Sequence, residues 1–365
     1  MHINHLYYSI KHLIPRRMQL LLRRKVIERK LRHTGNVWPI HEASKKAPDG
    51  WQGWPEQKKF ALVLTHDVDT AIGAAKSERL MEMEFQLGFR SSFNFVPERY
   101  HLPAAIRHTL TTHGFEVGVH GLTHDGMLYR SREIFSGKAR RINQYLKEWR
   151  AVGFRSPAMH HRLDWIHELD IEYDASTFDT DPFEPQSDGA GTIFPFWVAN
   201  GTPQDVTDHG ASFRSSALPA NCKRLQGAAD ARKRPASYSP LGEQADDKAD
   251  AVSCNRLPQD GYVELPYTMP QDFTLFVLMR HENIEIWQRK LDWIAAHGGM
   301  ALMNVHPDYI NFDNKRGGVE EYPARFYRQC LEYVKKKYEG KYWHALPREM
   351  ARYVSTKGGH RNALP

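Results

Sequence analysis

Residues 60–69 read FALVLTHDVD, an apolar run that ends in a histidine and two aspartates. A run of this length, rich in Phe, Val and Leu, is typical of a strand covered on both faces. Such strands belong to parallel sheets, in which polar residues at the carboxyl ends of the strands line the functional site. We expect Asp67 and Asp69, two residues apart on an extended segment, to face the same cavity.

The order of apolar strand, polar turn and helix repeats along the chain. Strands are predicted at 60–65, 91–96, 115–120, 153–156, 171–175, 193–198, 262–267 and 300–306, and helices at 75–86, 104–113, 134–149 and 284–297. This alternation predicts an α/β fold with a parallel sheet and right-handed crossovers, either open or closed into a barrel.

The charge of the chain is concentrated at one end. Of the net +7, residues 1–34 carry +8, because they hold nine Lys and Arg against one acid, and the rest is close to neutral. This distribution argues against a nucleic-acid-binding surface on the body of the protein. No stretch approaches about 18 consecutive apolar residues, which argues against a transmembrane helix. The three cysteines are spaced too far apart for CxxC-type zinc ligation and do not form a disulfide framework.

The chain divides into a basic arm and linker at 1–50, a barrel at 51–356 and a tail at 357–365. An insertion at 199–260 interrupts the barrel; it is rich in Ala, Ser, Gly, Pro and Asp, which predicts a flexible, disordered segment. The arm is predicted to be helical, and two interpretations of it stay open. Residues 12–32 form a basic amphipathic helix on an anionic membrane, or a helix packed on the body.

Residues capable of chemistry follow four of the predicted strands: HDVD at 66–69, HGLTH at 120–124, RSP at 155–157 and HPDY at 306–309. Two imidazoles and one carboxylate are ligands that suit a catalytic zinc-like ion and leave positions open for water and substrate. A second carboxylate can accept a proton from water, a further histidine can protonate the leaving group, and an arginine can hold the base ionised. Together they predict the hydrolysis of an amide or an ester.

The ordered segments THDVD (65–69), HGLTH (120–124), RSP (155–157) and NVHPD (304–308) resemble the motifs of polysaccharide deacetylases. These are carbohydrate esterases of the NodB homology type, and the D-x-D form of the first motif is similar to that of a divergent branch. The resemblance runs from about residue 58 to 310, apart from the insertion. It implies a distorted (β/α) barrel of about seven parallel strands that removes N-acetyl or O-acetyl groups from sugars.

The resemblance also implies a role for individual residues. Asp67 would be the catalytic base, His306 the general acid, and Arg155 the residue that orients Asp67. A divalent metal ion, expected to be zinc, would be held by Asp69, His120 and His124.

Three further residues are weaker candidates for the site. The resemblance implies that the backbone N–H of Ala158 donates to the oxyanion, and Asp272 is the best match for the acid that pairs with His306. Tyr267 is a candidate for stacking on a sugar, although buried packing would explain it as well.

The predicted function is therefore metal-dependent deacetylation of a glycan or glycolipid precursor in polysaccharide or lipopolysaccharide biosynthesis. We expect a cytoplasmic protein, peripheral to the inner membrane. Two alternatives stay open: a metal-independent cyclic imide or ureide hydrolase of the same superfamily, and a catalytically degenerate barrel that binds a glycan or acts as a scaffold. The particular sugar, the choice between N-acetyl and O-acetyl groups and the oligomeric state are left open.

Overall fold

The computed structural model describes residues 15–35, 37–201, 260–313 and 317–357. The first part of the predicted arm, nearly all of the predicted insertion at 199–260 and nearly all of the predicted tail at 357–365 lie outside the described residues. The flexibility of the insertion and the domain boundaries therefore stay predictions.

Nine strands of the described chain form one curled sheet. They are β1 (Phe60–Val68), β2 (Ser92–Phe95), β3 (Glu116–His120), β4 (Gly153–Arg155), β5 (Tyr173–Asp174), β6 (Phe196–Ala199), β7 (Gly261–Glu264), β8 (Met300–Asn304) and β11 (Tyr342–His344). The order is β8-β1-β2-β3-β4-β5-β7-β6, with β11 beside the first residues of β1. Two short strands, β9 (Ile310–Asn311) and β10 (Tyr322–Pro323), pair separately.

The sheet closes on itself through backbone hydrogen bonds beyond β7. The N–H groups of Thr268 and Met269 both donate to the carbonyl of Leu302 on β8, at 3.1 Å, and Met300 donates to Ile193 at 2.8 Å. The predicted distorted α/β barrel is therefore confirmed. One detail is corrected: β6, predicted as part of a parallel sheet, runs antiparallel to β7, because it returns along the edge of the sheet beside that strand.

Helices cover the outside of the sheet: α1 (Arg16–Leu31), α2 (Ala71–Leu87), α3 (Ala104–Thr112), α4 (Arg132–Glu148), α5 (Leu163–Ile166), α6 (Glu285–His297), α7 (Arg325–Tyr338) and α8 (Pro347–Lys357), with a π-helix at Phe273–Leu278. Local signals set their ends. Thr70 caps α2 by accepting from the N–H of Ile72, and Gly88 ends that helix at a left-handed φ of 82°. No helix or strand was predicted from the sequence at α7, α8 or β11.

The amino end of the barrel is closed by α8. The carboxyl of Glu116, the first residue of β3, accepts hydrogen bonds from Tyr173 Oη (2.8 Å) and from the backbone N–H of Arg348 at the start of α8 (3.1 Å). Two nitrogens of Arg352 also donate to the carboxylate of Glu172. Because this end is filled, access to the strands is left at their carboxyl ends, where α/β barrels hold their sites.

Helix α1 packs on the body of the protein. Its Leu20 and Ile27 are buried, Arg24 donates to the carbonyl of Val277 at 2.9 Å, and Lys30 Nζ donates to that of Pro182 at 2.6 Å. The packed interpretation of the arm therefore holds for this helix, while contact with a membrane stays a prediction. None of the helices in the described ranges combines the length and the apolar character that crossing a bilayer requires.

A pair of buried carboxyls, Asp174 and Glu264, joins β5 to β7. Glu264 Oε1 accepts from the backbone N–H (2.8 Å) and hydroxyl (2.6 Å) of Thr177, and Asp174 Oδ1 accepts from Ser176. Within the described chain, no N–H or O–H group bonds the second oxygen of either carboxyl. Burial raises the pKa of both groups. The charge of Asp174 raises the pKa of Glu264 further, whereas a hydrogen bond with Glu264 limits the rise for Asp174. We infer that the two carboxyls share a proton, which would satisfy both oxygens.

We expect Glu264→Gln to make the stability less dependent on pH. A carboxyl with a raised pKa in the folded state lowers stability as the pH rises from its unfolded pKa through its folded pKa. The Gln side chain donates to Asp174 without a titrating proton and still accepts from Thr177. The difference in melting temperature between about pH 5 and about pH 9 should shrink, whereas the exposed control Glu332→Gln should leave it unchanged. Strong destabilisation of Glu264→Gln near neutral pH would contradict a protonated pair.

Candidate active site

Three side chains expected to hold a metal ion meet at the carboxyl ends of β1 and β3. Asp69 Oδ1 lies 3.4 Å from His120 Nε2 and 3.1 Å from His124 Nε2, and the three ligand atoms lie within 4.8 Å of one another. Asp69 follows β1, His120 ends β3, and His124 lies in the loop after β3 with a left-handed φ of 52°. Such a conformation is rare for a residue other than glycine and is often found at functional sites.

The geometry of the ligand atoms in the triad suits a cation. His120 Nδ1 lies 3.1 Å from the carbonyl of Arg155, and because a carbonyl only accepts, Nδ1 carries the hydrogen. In neutral His120 the lone pair on Nε2 is then directed at Asp69. Asp69 Oδ1 is buried without a hydrogen-bond donor among the described residues. A divalent ion would satisfy these atoms together, so the residues fit the metal that the sequence predicted.

The charge of Asp69 is maintained despite its burial. Removal from water opposes ionisation, but the nearby His124 and His120 hold the pKa of Asp69 well below its usual range. The carboxylate is therefore ionised at neutral pH, which is the form that ligates a metal ion.

Asp67 lies next to the triad, held in a network of buried polar groups. Its Oδ1 accepts from Arg155 Nη1 (3.2 Å) and Asn94 Nδ2 (3.1 Å), and its Oδ2 accepts from Asn304 Nδ2 (2.8 Å). His120 Nδ1 is 3.9 Å from Oδ1. Burial alone would favour the neutral acid, but Arg155 and His120 hold the pKa of Asp67 below its usual range. Asp67 is thus an oriented, ionised carboxylate beside the triad.

Arg155 is positioned by groups on β1 and by a carbonyl just after β5. Its Nε donates to the carbonyl of Ala175 at 2.7 Å, and its Nη1 donates to Thr65 Oγ1 at 2.8 Å as well as to Asp67. The side chain is fully buried, and Nη2 makes no hydrogen bond among the described residues. The predicted contact between Arg155 and Asp67 is confirmed.

The predicted pair of His306 and Asp272 is also present. His306 Nδ1 is 2.7 Å from Asp272 Oδ1, and the backbone N–H of His306 donates to Oδ2 at 2.9 Å. Tyr322 donates to the same Oδ2 at 3.0 Å. Although burial would lower it, the pKa of His306 is raised to about 10, first by Asp272 and then by Asp69 and Asp67. Asp272 fixes the ring and leaves Nε2 as the nitrogen that can exchange a proton with a substrate.

Ala158 is exposed in a strained turn beside the triad. Its φ is 55° and that of Met159 is 51°, so two consecutive residues other than glycine are left-handed. The preceding Pro157 packs against Gly121, where any side chain would collide with the proline ring. The loops after β3 and β4 therefore lie in contact at this point. The role of the Ala158 N–H as an oxyanion donor stays a prediction.

Tyr267 does not present its hydroxyl to solvent. The residue is 1% exposed, and its Oη lies 2.8 Å from Asp181 Oδ2 and 3.0 Å from Glu184 Oε1. One hydroxyl hydrogen serves only one of these acceptors, so the other contact needs a protonated carboxyl; burial and the charge of Asp181 raise the pKa of Glu184 to about 8. This placement corresponds to the packed interpretation of Tyr267, and its contact with a substrate stays a prediction that the burial does not favour.

The two amides that bind Asp67 were not predicted from the sequence. Asn94 lies on β2, and Gly118 on β3 makes room for it, since a Cβ at that position would overlap the Asn94 amide oxygen. Asn304 lies at the end of β8, two residues before His306. The signal in the sequence was a single amide inside an otherwise apolar strand. Burying such an amide costs free energy unless it is hydrogen-bonded.

Asp308 is a further carboxylate at the site. Its Oδ2 accepts from the backbone N–H of Asp69 at 2.9 Å and its Oδ1 from Thr70 Oγ1 at 2.5 Å. A side chain at Gly73 would overlap its carboxylate, so α2 needs a glycine there. Asp308 therefore fixes the backbone of the residue that would ligate the metal.

Comparison with known proteins places the fold. No protein-family model and no curated protein matches the chain. A solved protein from Mycobacterium smegmatis, described as a candidate polysaccharide deacetylase, is 17% identical, with 87% of this chain and 98% of that one covered, at a TM-score of 0.55. Another, from Pseudomonas aeruginosa PAO1 and described in the same way, is 13% identical, with 85% and 95% covered, at a TM-score of 0.50.

The fold is that of the polysaccharide deacetylases. The similarity spans more of the chain than the motifs from about residue 58 to 310 did. At these identities it establishes the architecture, and the chemistry rests on the residues at the site. Assignment to the D-x-D branch stays a prediction.

We expect the wild-type protein, dialysed against a trace of zinc, to retain about one ion per chain. His124→Ala should weaken binding by more than the roughly 10–100-fold that loss of an outer-shell partner costs, because a direct ligand is removed. Metal analysis after dialysis measures this, with the exposed His108→Ala as the matched control. Equal zinc content in the wild type and His124→Ala would refute the triad as the metal site.

Proposed function

We propose that this chain is a metal-dependent hydrolase that removes acetyl groups from a glycan or glycolipid precursor. One observation carries the proposal: an ionised Asp67 lies beside the Asp69, His120 and His124 triad, with His306 close enough to lower the pKa of both aspartates. A base, a metal-binding triad and a protonated histidine are the parts that hydrolysis of an acetyl amide or ester needs.

A divalent metal ion, expected to be zinc, would lower the pKa of water and polarise the acetyl carbonyl. Asp67 accepts the proton of the attacking water, and its ionised state is maintained by Arg155. The two amides of Asn94 and Asn304 fix both carboxylate oxygens, so Asp67 keeps one orientation during the transfer. The N–H of Ala158 is proposed as an additional donor to the carbonyl oxygen.

His306 supplies the second proton. When the C–N or C–O bond of the acetyl group breaks, the departing nitrogen or oxygen takes a proton from His306 Nε2 and acetate is released. With its pKa raised to about 10, His306 is protonated at neutral pH, ready to act as an acid. Asp272 stabilises the charged ring through two contacts, one of them with the backbone N–H.

The triad favours this function over the two alternatives. A metal-independent cyclic imide or ureide hydrolase has no need for two imidazoles converging on Asp69. A degenerate glycan-binding barrel would have no use for a buried ionised Asp67, since a buried charge costs free energy in desolvation even when it is paired with Arg155. As part of the proposal, the protein acts in the cytoplasm on precursors of a surface polysaccharide or lipopolysaccharide.

We expect the zinc-loaded protein to release acetate from N-acetylated chito-oligosaccharides or O-acetylated xylan. Asp67→Asn and His306→Ala should each lower the rate by about 10²-fold or more, because each removes one proton transfer. Asp188→Asn, at a half-exposed carboxylate, and His108→Ala are the matched controls. Melting temperature and zinc content of each variant separate lost chemistry from lost folding, and acetate release at wild-type rates by both variants would contradict these roles.

Replacing the partner of His306 should shift the alkaline limb of the pH–rate profile. The acid form of His306 is lost as the pH rises through its raised pKa, and Asp272→Asn removes the carboxylate that contributes most to the rise. The limb should then move to lower pH by about one unit or more. Tyr322→Phe removes only a hydrogen-bond donor to Asp272 and should not move the alkaline limb to lower pH. An unchanged limb in Asp272→Asn would exclude His306 as the acid.

A further inference from the structure

Helix α1 has an outward face that no other described part of the chain covers. Its inner side carries the buried Leu20 and Ile27, while four apolar residues on the outside are about half exposed: Met18 at 54%, Leu21 at 52%, Leu22 at 48% and Val26 at 53%. They recur at intervals of three or four residues, so they lie on one side of the helix. They are four of the seven large apolar side chains that the described residues expose.

Basic residues surround these apolar side chains. Arg17, Lys25 and Arg29 are exposed, Glu28 is the only acid of the helix, and no carboxylate in the described ranges forms an ion pair with these three cations. The segment 1–34 carries +8 while the rest of the chain is close to neutral. The surface thus combines exposed apolar side chains with strong local positive charge.

We propose that this outward face of α1 docks on an anionic lipid bilayer. Apolar side chains of a surface helix enter the boundary between headgroups and acyl chains, and flanking Lys and Arg extend to the anionic headgroups. Both parts are present here on the same side of α1. The inner face of the helix remains packed on the protein, so docking does not require α1 to detach.

A second copy of the chain fits this surface less well. A helix of 16 residues is about 24 Å long, and four half-exposed side chains form a strip much narrower than the area that a stable protein interface buries. Two copies would also bring the same cations together. A bilayer needs only a few inserted side chains when charge adds to the attraction.

The packing of α1 links this surface to the site. The guanidinium carbon of Arg23 lies 4.8 Å from the centroid of the Phe273 ring. The ring centroids of Phe273 and Tyr309 are 4.6 Å apart, and those of Tyr309 and His306 are 5.3 Å apart. Phe273 directly follows Asp272, the partner of His306. Where the proposed function holds, docking through α1 brings the acid side of the site near the membrane and favours an acetylated sugar carried on a lipid as substrate.

The test is co-sedimentation of the full-length chain with phosphatidylcholine vesicles, with and without phosphatidylglycerol. We expect binding to the anionic vesicles only, weakened by salt, and lowered at least about tenfold in Leu21→Gln/Leu22→Gln and in Lys25→Glu/Arg29→Glu. Phe85→Gln, which removes a similarly exposed apolar side chain on α2, and Lys336→Glu on α7 are the matched controls and should bind like the wild type.

Three results would overturn the inference: no binding to anionic vesicles, full binding by both double variants, or a wild-type dimer that Leu21→Gln/Leu22→Gln converts to a monomer without any vesicle binding. Acetate release from soluble chito-oligosaccharides by the same variants separates this inference from the proposed function. Retained release with lost vesicle binding supports docking through α1. Absence of release in every protein contradicts the deacetylase proposal and leaves the vesicle result valid by itself.

Discussion

The arrangement of the site depends on the buried side chain and carbonyl of Arg155. Its guanidinium bonds Asp67 and Thr65 of β1 and the carbonyl of Ala175, while its own carbonyl fixes the ring of His120. A guanidinium without access to water requires a carboxylate partner and several acceptors, since breaking a buried pair leaves an uncompensated charge. One residue therefore keeps the proposed base ionised and also sets which nitrogen of His120 is directed at Asp69.

Short polar networks around this centre come from strands that are otherwise apolar. Asn94, Asn304, Asp272 and Asp308 each hold one of the groups proposed to act, and each is itself satisfied by a backbone or side-chain partner. Fully paired networks of this kind are rigid, because any rotation leaves a buried polar group unsatisfied. The opposite end of the barrel is filled by Glu116 and α8, so the two ends of the same strands serve stability and chemistry separately.

Much of the fold and part of the site were predictable from local patterns. The strands β1 and β8 are buried on both faces. Such strands lack the alternation of apolar and polar residues and are recognised in the sequence as continuous apolar runs. The antiparallel direction of β6 was not predictable, because an edge strand reads alike in either direction. The pairs that Asn94 and Asp272 make were weakly signalled or only guessed, since each joins residues far apart in the sequence.

By itself, the sequence determined the α/β class, the basic character of the first 34 residues and the identity of the residues at the strand ends, because periodicity, charge and residue type are properties of short segments. Only the tertiary structure decided that Asp67 and Asp69 meet His120 and His124, that Tyr267 turns into a buried acidic cluster, and that α1 packs one face on the barrel and exposes the other. Those outcomes depend on which distant segments pack against one another. The free energy that decides this packing comes from contacts across the whole sheet rather than from any one segment.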